Sequence, residues 1–151
     1  GDEGLGRCHL NGYKRSLEKN GLEYDEKLII RLKPGKRIYT IENGYNCTCE
    51  LLKSGVEFSC IYAISDTLAV GACRAVIDSG KRVPEDYCVA GADGQDIAEY
   101  YHPSITTLKY PRVETALQSV RTLFDLIDRK KVVKRQILGG TLIERESTRK
   151  L

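Results

Sequence analysis

Hydrophobic and polar positions change rhythm several times along this chain, and each change marks an element. The first segment places Leu10, Tyr13, Lys14 and Leu17 at helical spacing and closes on Asn20-Gly21, which predicts a helix over about 6–19. "KLIIRL" (27–32) is a short apolar run that predicts a strand, followed by a turn at "KPGK" (33–36). A second helix is predicted from about 43 to Gly55. "FSCIYAI" (58–64) and "YCVAGAD" (87–93) are continuously apolar, the pattern of strands covered on both faces. Between them, "DTLAVGACRAVIDSG" sets Ala69, Ala72, Cys73 and Val76 on one stripe, with Gly80 as a stop and Pro84 beyond it. A short helical turn at 96–101 and an extended stretch at 104–110 follow. An amphipathic helix over 113–130 carries Ala116, Val120, Leu123, Phe124 and Ile127 in one stripe, and one or two strands close the chain at 135–147. Strands alternating with helices predict a mostly parallel sheet with helices on both faces.

Composition narrows this picture. At 151 residues the chain is long enough for one domain with a real core. The 24 Lys+Arg and 21 Asp+Glu leave a net charge of +3, and the charges alternate instead of forming the basic patch that phosphate binding needs. No apolar run is long enough to span a bilayer, and no signal-peptide pattern opens the chain. The chain opens without Met and reads as a piece of a longer or processed protein. Six cysteines, at 8, 47, 49, 60, 73 and 88, lie mostly inside apolar or helical segments, which suggests free thiols and a reducing, cytoplasmic compartment. Cys47-Thr48-Cys49 has no second pair at zinc spacing, so neither a metal nor a cofactor is expected.

Open α/β sheets bind ligands beyond the carboxyl ends of their strands. Polar residues gather at those places. Ser65-Asp66 follows one strand and Asp93-Gly94-Gln95-Asp96 the next, while Tyr39 and Thr40 precede the second helix and His9 opens the first. At the Ser65-Asp66 break, Asp66 is expected to cap the following helix, which leaves Ser65 to face a ligand. Asp93 reads equally as a turn former before Gly94 and as a ligand contact. Tyr39 could be packing, and His9 plain surface. Enzyme signatures are missing: there is no G-x-S-x-G, no P-loop and no H-E-x-x-H, and "DGQD" lacks the remaining ligands of a calcium loop.

The segment "AISDTLAVGACRAVIDSGKRVPEDYCVAGADG" (63–94) resembles the effector-domain pattern of LacI/GalR-type bacterial transcriptional repressors. "HPSITTLKYP" (102–111) resembles that family's crossover, "LIERES" (142–147) its closing strand and "HLNGYKRSLEKNGL" (9–22) its first helix. The resemblance implies an α/β, periplasmic-binding-protein-like (type I) three-layer sandwich with a mostly parallel sheet. Residues 1–104 would form the carboxyl-terminal subdomain. Residues 105–132 would be the crossover and a helix of the amino-terminal subdomain, and 133–151 would return. A helix so separated from its subdomain is expected to shield its apolar face by self-association or rearrangement.

Functionally, the resemblance implies a non-enzymatic sensor of a small molecule, a sugar by class. It also implies operator DNA bound through a headpiece absent from this chain, a homodimer and no membrane. Asp93 matches an aspartate that bonds effector hydroxyls, and Ser65 a polar contact position. Tyr39, five residues before Gly44, matches an aromatic that stacks on the effector. His9 stands where the family carries Arg, and Arg7 nearby can substitute. Ala92-Asp93-Gly94 stands where an aromatic and a second Asp are usual. Both departures bear on which effector is bound. The alternative reading is a periplasmic-type sugar-binding protein of a transport system, which the six cysteines and the closing strand argue against.

Overall fold

The computed structural model describes residues 2–32 and 37–149; the turn expected at 33–36 lies outside them. The elements in chain order are α1 (Asp2–Lys19), a 3-10 turn (Glu26–Leu28), α2 (Ile41–Lys53), β1 (Cys60–Tyr62), α3 (Asp66–Asp78), β2 (Cys88–Asp93), α4 (Asp96–Tyr100), β3 (Thr106–Lys109), α5 (Arg112–Ile127) and β4 (Thr141–Ile143). One sheet orders the strands β1-β2-β3-β4. The first three run parallel, with Ile61 opposite Val89 and Gly91 opposite Thr107, and β4 closes the sheet antiparallel to β3.

The core forms where the stripe on α3 meets the sheet. Ala69, Ala72, Cys73 and Val76 are at most 2% exposed. Ala69, Ala72 and Cys73 make a continuous cluster with Val70, Val89, Ala98 and Ile105, against which Ile61, Val83 and Ile97 pack. Removing each branched aliphatic side chain from water contributes about 1.5–3 kcal/mol. Burial lifts the Cys73 thiol to about 11, which keeps it a neutral hydrophobe. Behind α3 lies α2, drawn in by two glycines. A Cβ on Gly44 would run into the Leu68 carbonyl, and one on Gly71 into the Ile41 carbonyl. Because Ile61 turns to the α3 side, Tyr62 points to the opposite face. There His9 of α1 meets it, so helices lie on both faces of the sheet.

The Arg-Glu-Ser triplet stitches the chain together just past β4. Ser147 is fully buried and sits between β2 and β3 below their ladder. Its hydroxyl donates to the Val89 carbonyl at 2.6 Å and accepts from the Thr106 N–H at 2.8 Å. Its own amide donates to the Ser104 carbonyl, and its carbonyl accepts from the Val89 N–H, both at 2.9 Å. Glu146 accepts from the Ser104 amide and hydroxyl, and Arg145 donates to the Ile105 carbonyl. Buried backbone groups at the splayed strand ends are thereby satisfied.

Three expectations need correction. "KLIIRL" is no strand: its start is a 3-10 turn capped by Asp25, and residues 29–32 join no ladder. Consequently β1 is an edge strand, and "FSCIYAI" is not covered on both faces: Cys60 and Tyr62 are exposed. The third concerns the Ser65-Asp66 break. Ser65 is the α3 cap, with extended backbone (φ −151°, ψ 157°) and its hydroxyl accepting from the Leu68 N–H at 3.3 Å. Asp66 is instead the first helical residue, and its carboxylate is turned inward.

Helix α5 has no buried residue. Val113, Leu117, Val120, Phe124 and Ile127 recur at alternating spacings of four and three, and each is more than half exposed. Among the described residues, no helix is long and apolar enough to cross a membrane.

Candidate functional site

A groove of about 540 Å³ opens at the carboxyl ends of the parallel strands, lined by Cys8, His9, Gly12, Tyr13 and Ser16 of α1, together with Tyr62 and Tyr110. Tyr62 ends β1, and Tyr110 directly follows β3. His9 Nδ1 lies 3.0 Å from the Tyr62 hydroxyl, and the two rings tilt at 39° with centroids 6.1 Å apart. Although Tyr62 is part-exposed, desolvation of its hydroxyl pushes the phenol up to about 12, helped by Tyr110 and by Asp93. Tyr110 is raised for the same reasons: burial first, then Asp93 and Asp66. Both phenols therefore stay protonated and can donate as well as accept.

Asp93 ends β2 with φ +106°, a conformation that costs a non-glycine residue about 1–3 kcal/mol. Its Oδ2 accepts from the Gln95 side-chain amide at 2.9 Å. Its carbonyl accepts from the Arg112 guanidinium at 2.5 Å. Beneath it, Asp66 organises the loop. The fully buried carboxylate accepts from the Gln95 N–H at 2.6 Å and from the Thr107 hydroxyl at 2.5 Å. Thr107 Oγ1 in turn accepts from the Gly94 N–H at 3.3 Å. Gly91 leaves room for this, since a Cβ there would strike Asp66 Oδ1. Burial raises the Asp66 pKa, and the bonds from Thr107 and Gln95 offset only part of that rise.

Of the five residues singled out in the sequence, His9 lines the groove, while Asp93 ends β2, the strand between those of Tyr62 and Tyr110, and is not among the lining residues. Ser65 is buried, and its hydroxyl is shared between the α3 cap and Thr67 Oγ1 at 3.0 Å. Tyr39 is half-buried beside it, and its carbonyl accepts from the Thr67 hydroxyl at 3.2 Å. Arg7 is exposed on α1, and neither Arg7, Tyr39 nor Ser65 lines the groove. Sequence reasoning missed Tyr62 and Tyr110. Both stand at strand carboxyl ends, the same positional signal that pointed to Asp93.

Comparison with known proteins converges. Residues 7–148 match the model of the periplasmic binding protein-like domain. The transcriptional regulator MalR of Clostridium butyricum is 40% identical over 97% of this chain, which spans 42% of that protein. AscG of Escherichia coli is 33% identical over 91% of the chain and 40% of its own length. The chain therefore spans about two fifths of these relatives. Among solved structures, the CelR–cellobiose complex superposes with TM-score 0.81 at 32% identity, over 91% of this chain and 41% of that one. The lac repressor dimer bound to operator and an anti-inducer superposes with TM-score 0.82 at 28% identity, over 94% and 47%. These relatives are regulators and not enzymes. The chain belongs to the periplasmic binding protein-like domain family and corresponds to the carboxyl-terminal effector region of LacI/GalR-type transcriptional regulators.

Proposed function

We propose that this chain is the effector-sensing part of a DNA-binding transcriptional regulator, and that its effector is a sugar or related polyhydroxy molecule seated in the α1 groove. The observation that carries the reading is the convergence of His9, Tyr62 and Tyr110 on one groove at the carboxyl ends of the parallel strands, with Asp93 at the end of the intervening strand β2. Tyrosine faces suit the apolar faces of a sugar ring, while imidazole, phenol and carboxylate supply donors and acceptors for its hydroxyls. The CelR neighbour's cellobiose and the ribose in a LacI-family regulator of Enterococcus faecium support that ligand class. Among the sequence candidates, His9 and Asp93 are assigned as direct contacts. Ser65 and Tyr39 are assigned to shaping the α3 end of the rim, and Arg7 to its outer edge.

Operator DNA would be held by an amino-terminal headpiece outside these 151 residues. The effector would bias two closure states of the whole protein and so its DNA affinity. Such a regulator works in the cytoplasm as a homodimer. Residues 1–104 and 133–151 would form one subdomain, while 105–132 lead into the other; α5, which buries none of its residues, supports that division.

The test is saturation-transfer NMR of the chain with a panel of mono- and disaccharides. At least one sugar should show transfer, and Asp93→Ala should remove it while leaving the circular dichroism spectrum intact. Transfer that survives unchanged in Asp93→Ala would take Asp93 out of the site.

A further inference from the structure

Two cysteines lie opposite each other in the sheet. Cys60 opens β1, Cys88 opens β2, and the parallel register makes them Cα partners. The next pair in the ladder, Ile61 and Val89, turns to the α3 core. By the strand period of two, Cys60 and Cys88 therefore both turn to the opposite face, the one that carries Tyr62. The ladder is well made around them. The Cys88 N–H donates to the Ser59 carbonyl at 2.9 Å, and the Ala63 N–H to the Ala90 carbonyl at 2.8 Å. Neighbouring strands stand about 4.8 Å apart, inside the range of about 4.4–6.8 Å between Cα atoms that a disulfide spans. Because β1 is a three-residue strand at the sheet edge, it can adjust as the link closes. Cys60 is exposed, Cys88 is partly so, and neither is cross-linked. The other cysteines are placed differently. Cys73 is buried in the core, Cys8 is on α1, and Cys47 and Cys49 lie two positions apart on α2, where side chains do not face each other.

We propose that Cys60 and Cys88 form a redox modification site, a dithiol that peroxide closes to a disulfide, clamping the edge strand to the sheet two residues before the groove residue Tyr62. Peroxide reaches the exposed Cys60. Its thiolate breaks the O–O bond and keeps one oxygen as a sulfenic acid, while the other leaves as hydroxide and takes up the Cys60 proton to give water. The Cys88 sulfur then displaces the sulfenic hydroxyl, which leaves with the Cys88 proton as a second water. Two electrons pass from the thiols to the peroxide. Desolvation, and then Cys88, raise the Cys60 thiol, so the neutral dithiol is the resting form and closure calls for sustained oxidant.

The experiment treats the reduced chain with excess hydrogen peroxide, titrates its thiols after denaturation, and maps the monomer's peptides by mass spectrometry without reduction. The chain should lose two of its six thiols, with Cys60 joined to Cys88. Neither Cys60→Ser nor Cys88→Ser, checked for a native circular dichroism spectrum, should yield an internal link. Amide exchange across residues 60–63 should slow several-fold in the oxidised wild type, because the clamp holds β1 on β2. No loss of thiol, a sulfinic acid at Cys60 beside an intact Cys88 thiol, or a link between any other cysteines would overturn the site. Formation of the link with unchanged exchange would overturn the clamp.

Discussion

Replacing Asp66 with alanine tests the framework beneath the site. The carboxylate is fully buried and receives two hydrogen bonds, from the Gln95 N–H at 2.6 Å and the Thr107 hydroxyl at 2.5 Å. Truncation leaves the Gln95 N–H and the Thr107 hydroxyl without their acceptor, at about 1–3 kcal/mol each, so the joint cost is about 2–6 kcal/mol. Part of this is offset, because the variant no longer holds a carboxylate out of water. The net destabilisation should be about 2–4 kcal/mol, measured by urea unfolding followed by circular dichroism, with the m-value unchanged.

The pH dependence gives a sharper check. The folded pKa of Asp66 is raised above its unfolded value of about 3.9, chiefly by burial. Between those two values the native state binds more protons than the unfolded state, so the contribution of Asp66 to stability falls as pH rises. It is largest below the unfolded pKa and declines until the folded pKa is passed. The gap between wild type and Asp66→Ala should therefore narrow as the pH is raised from about 4 toward neutrality. Exposed carboxylates such as Asp86 and Glu146 are common to both proteins and cancel in the difference. A gap that widens with pH would mean that the hydrogen bonds outweigh burial, and would refute this account of the site.

Two further outcomes follow from packing. Gly71→Ala should destabilise the fold by about 1–3 kcal/mol, seen as a lower Tm, because its Cβ meets the Ile41 carbonyl and forces α2 off α3. Gly6→Ala, with open space at the same position on α1, should instead stabilise by up to about 1 kcal/mol. The chain should sediment above its monomer mass at tens of micromolar, through the apolar seam of α5. The double substitution Leu117→Glu with Phe124→Glu should return it to monomer without loss of helicity, and a wild type that is already monomeric would refute the expectation.

Helix α3 was legible because its stripe, its stop at Gly80 and its flanking strands all agree. The same holds for β2, whose apolar run is buried where it crosses the sheet. "KLIIRL" misled because apolar content identifies a buried run but supplies no ladder partner; the chain turns at Glu26–Leu28 instead. At Ser65-Asp66, two adjacent residues can both cap a helix, and local chemistry does not rank them. The decision is tertiary: Thr107 and Gln95 offer Asp66 two donors inside the protein, which leaves the helix end to Ser65. Asp93 was singled out by its position at a strand end, and His9, which lines the groove, by its place in the first helix. Tyr62 and Tyr110 were not, because an aromatic in or beside an apolar strand looks like packing until the sheet shows which face it takes.

Ser147 also imposes an order on synthesis. Val89 and Thr106 are held together at their strand ends by a residue that leaves the ribosome some forty to sixty positions after them, as its separations of 58 and 41 in sequence require. Until it arrives, the β2 and β3 backbones carry polar groups at that gap with nothing to close them. The nascent chain can lay α3 on the early strands, but the sheet cannot be sealed at its base until Ser147 has emerged. Closure of the gap between β2 and β3 thus waits on a single serine far along the chain from both strands.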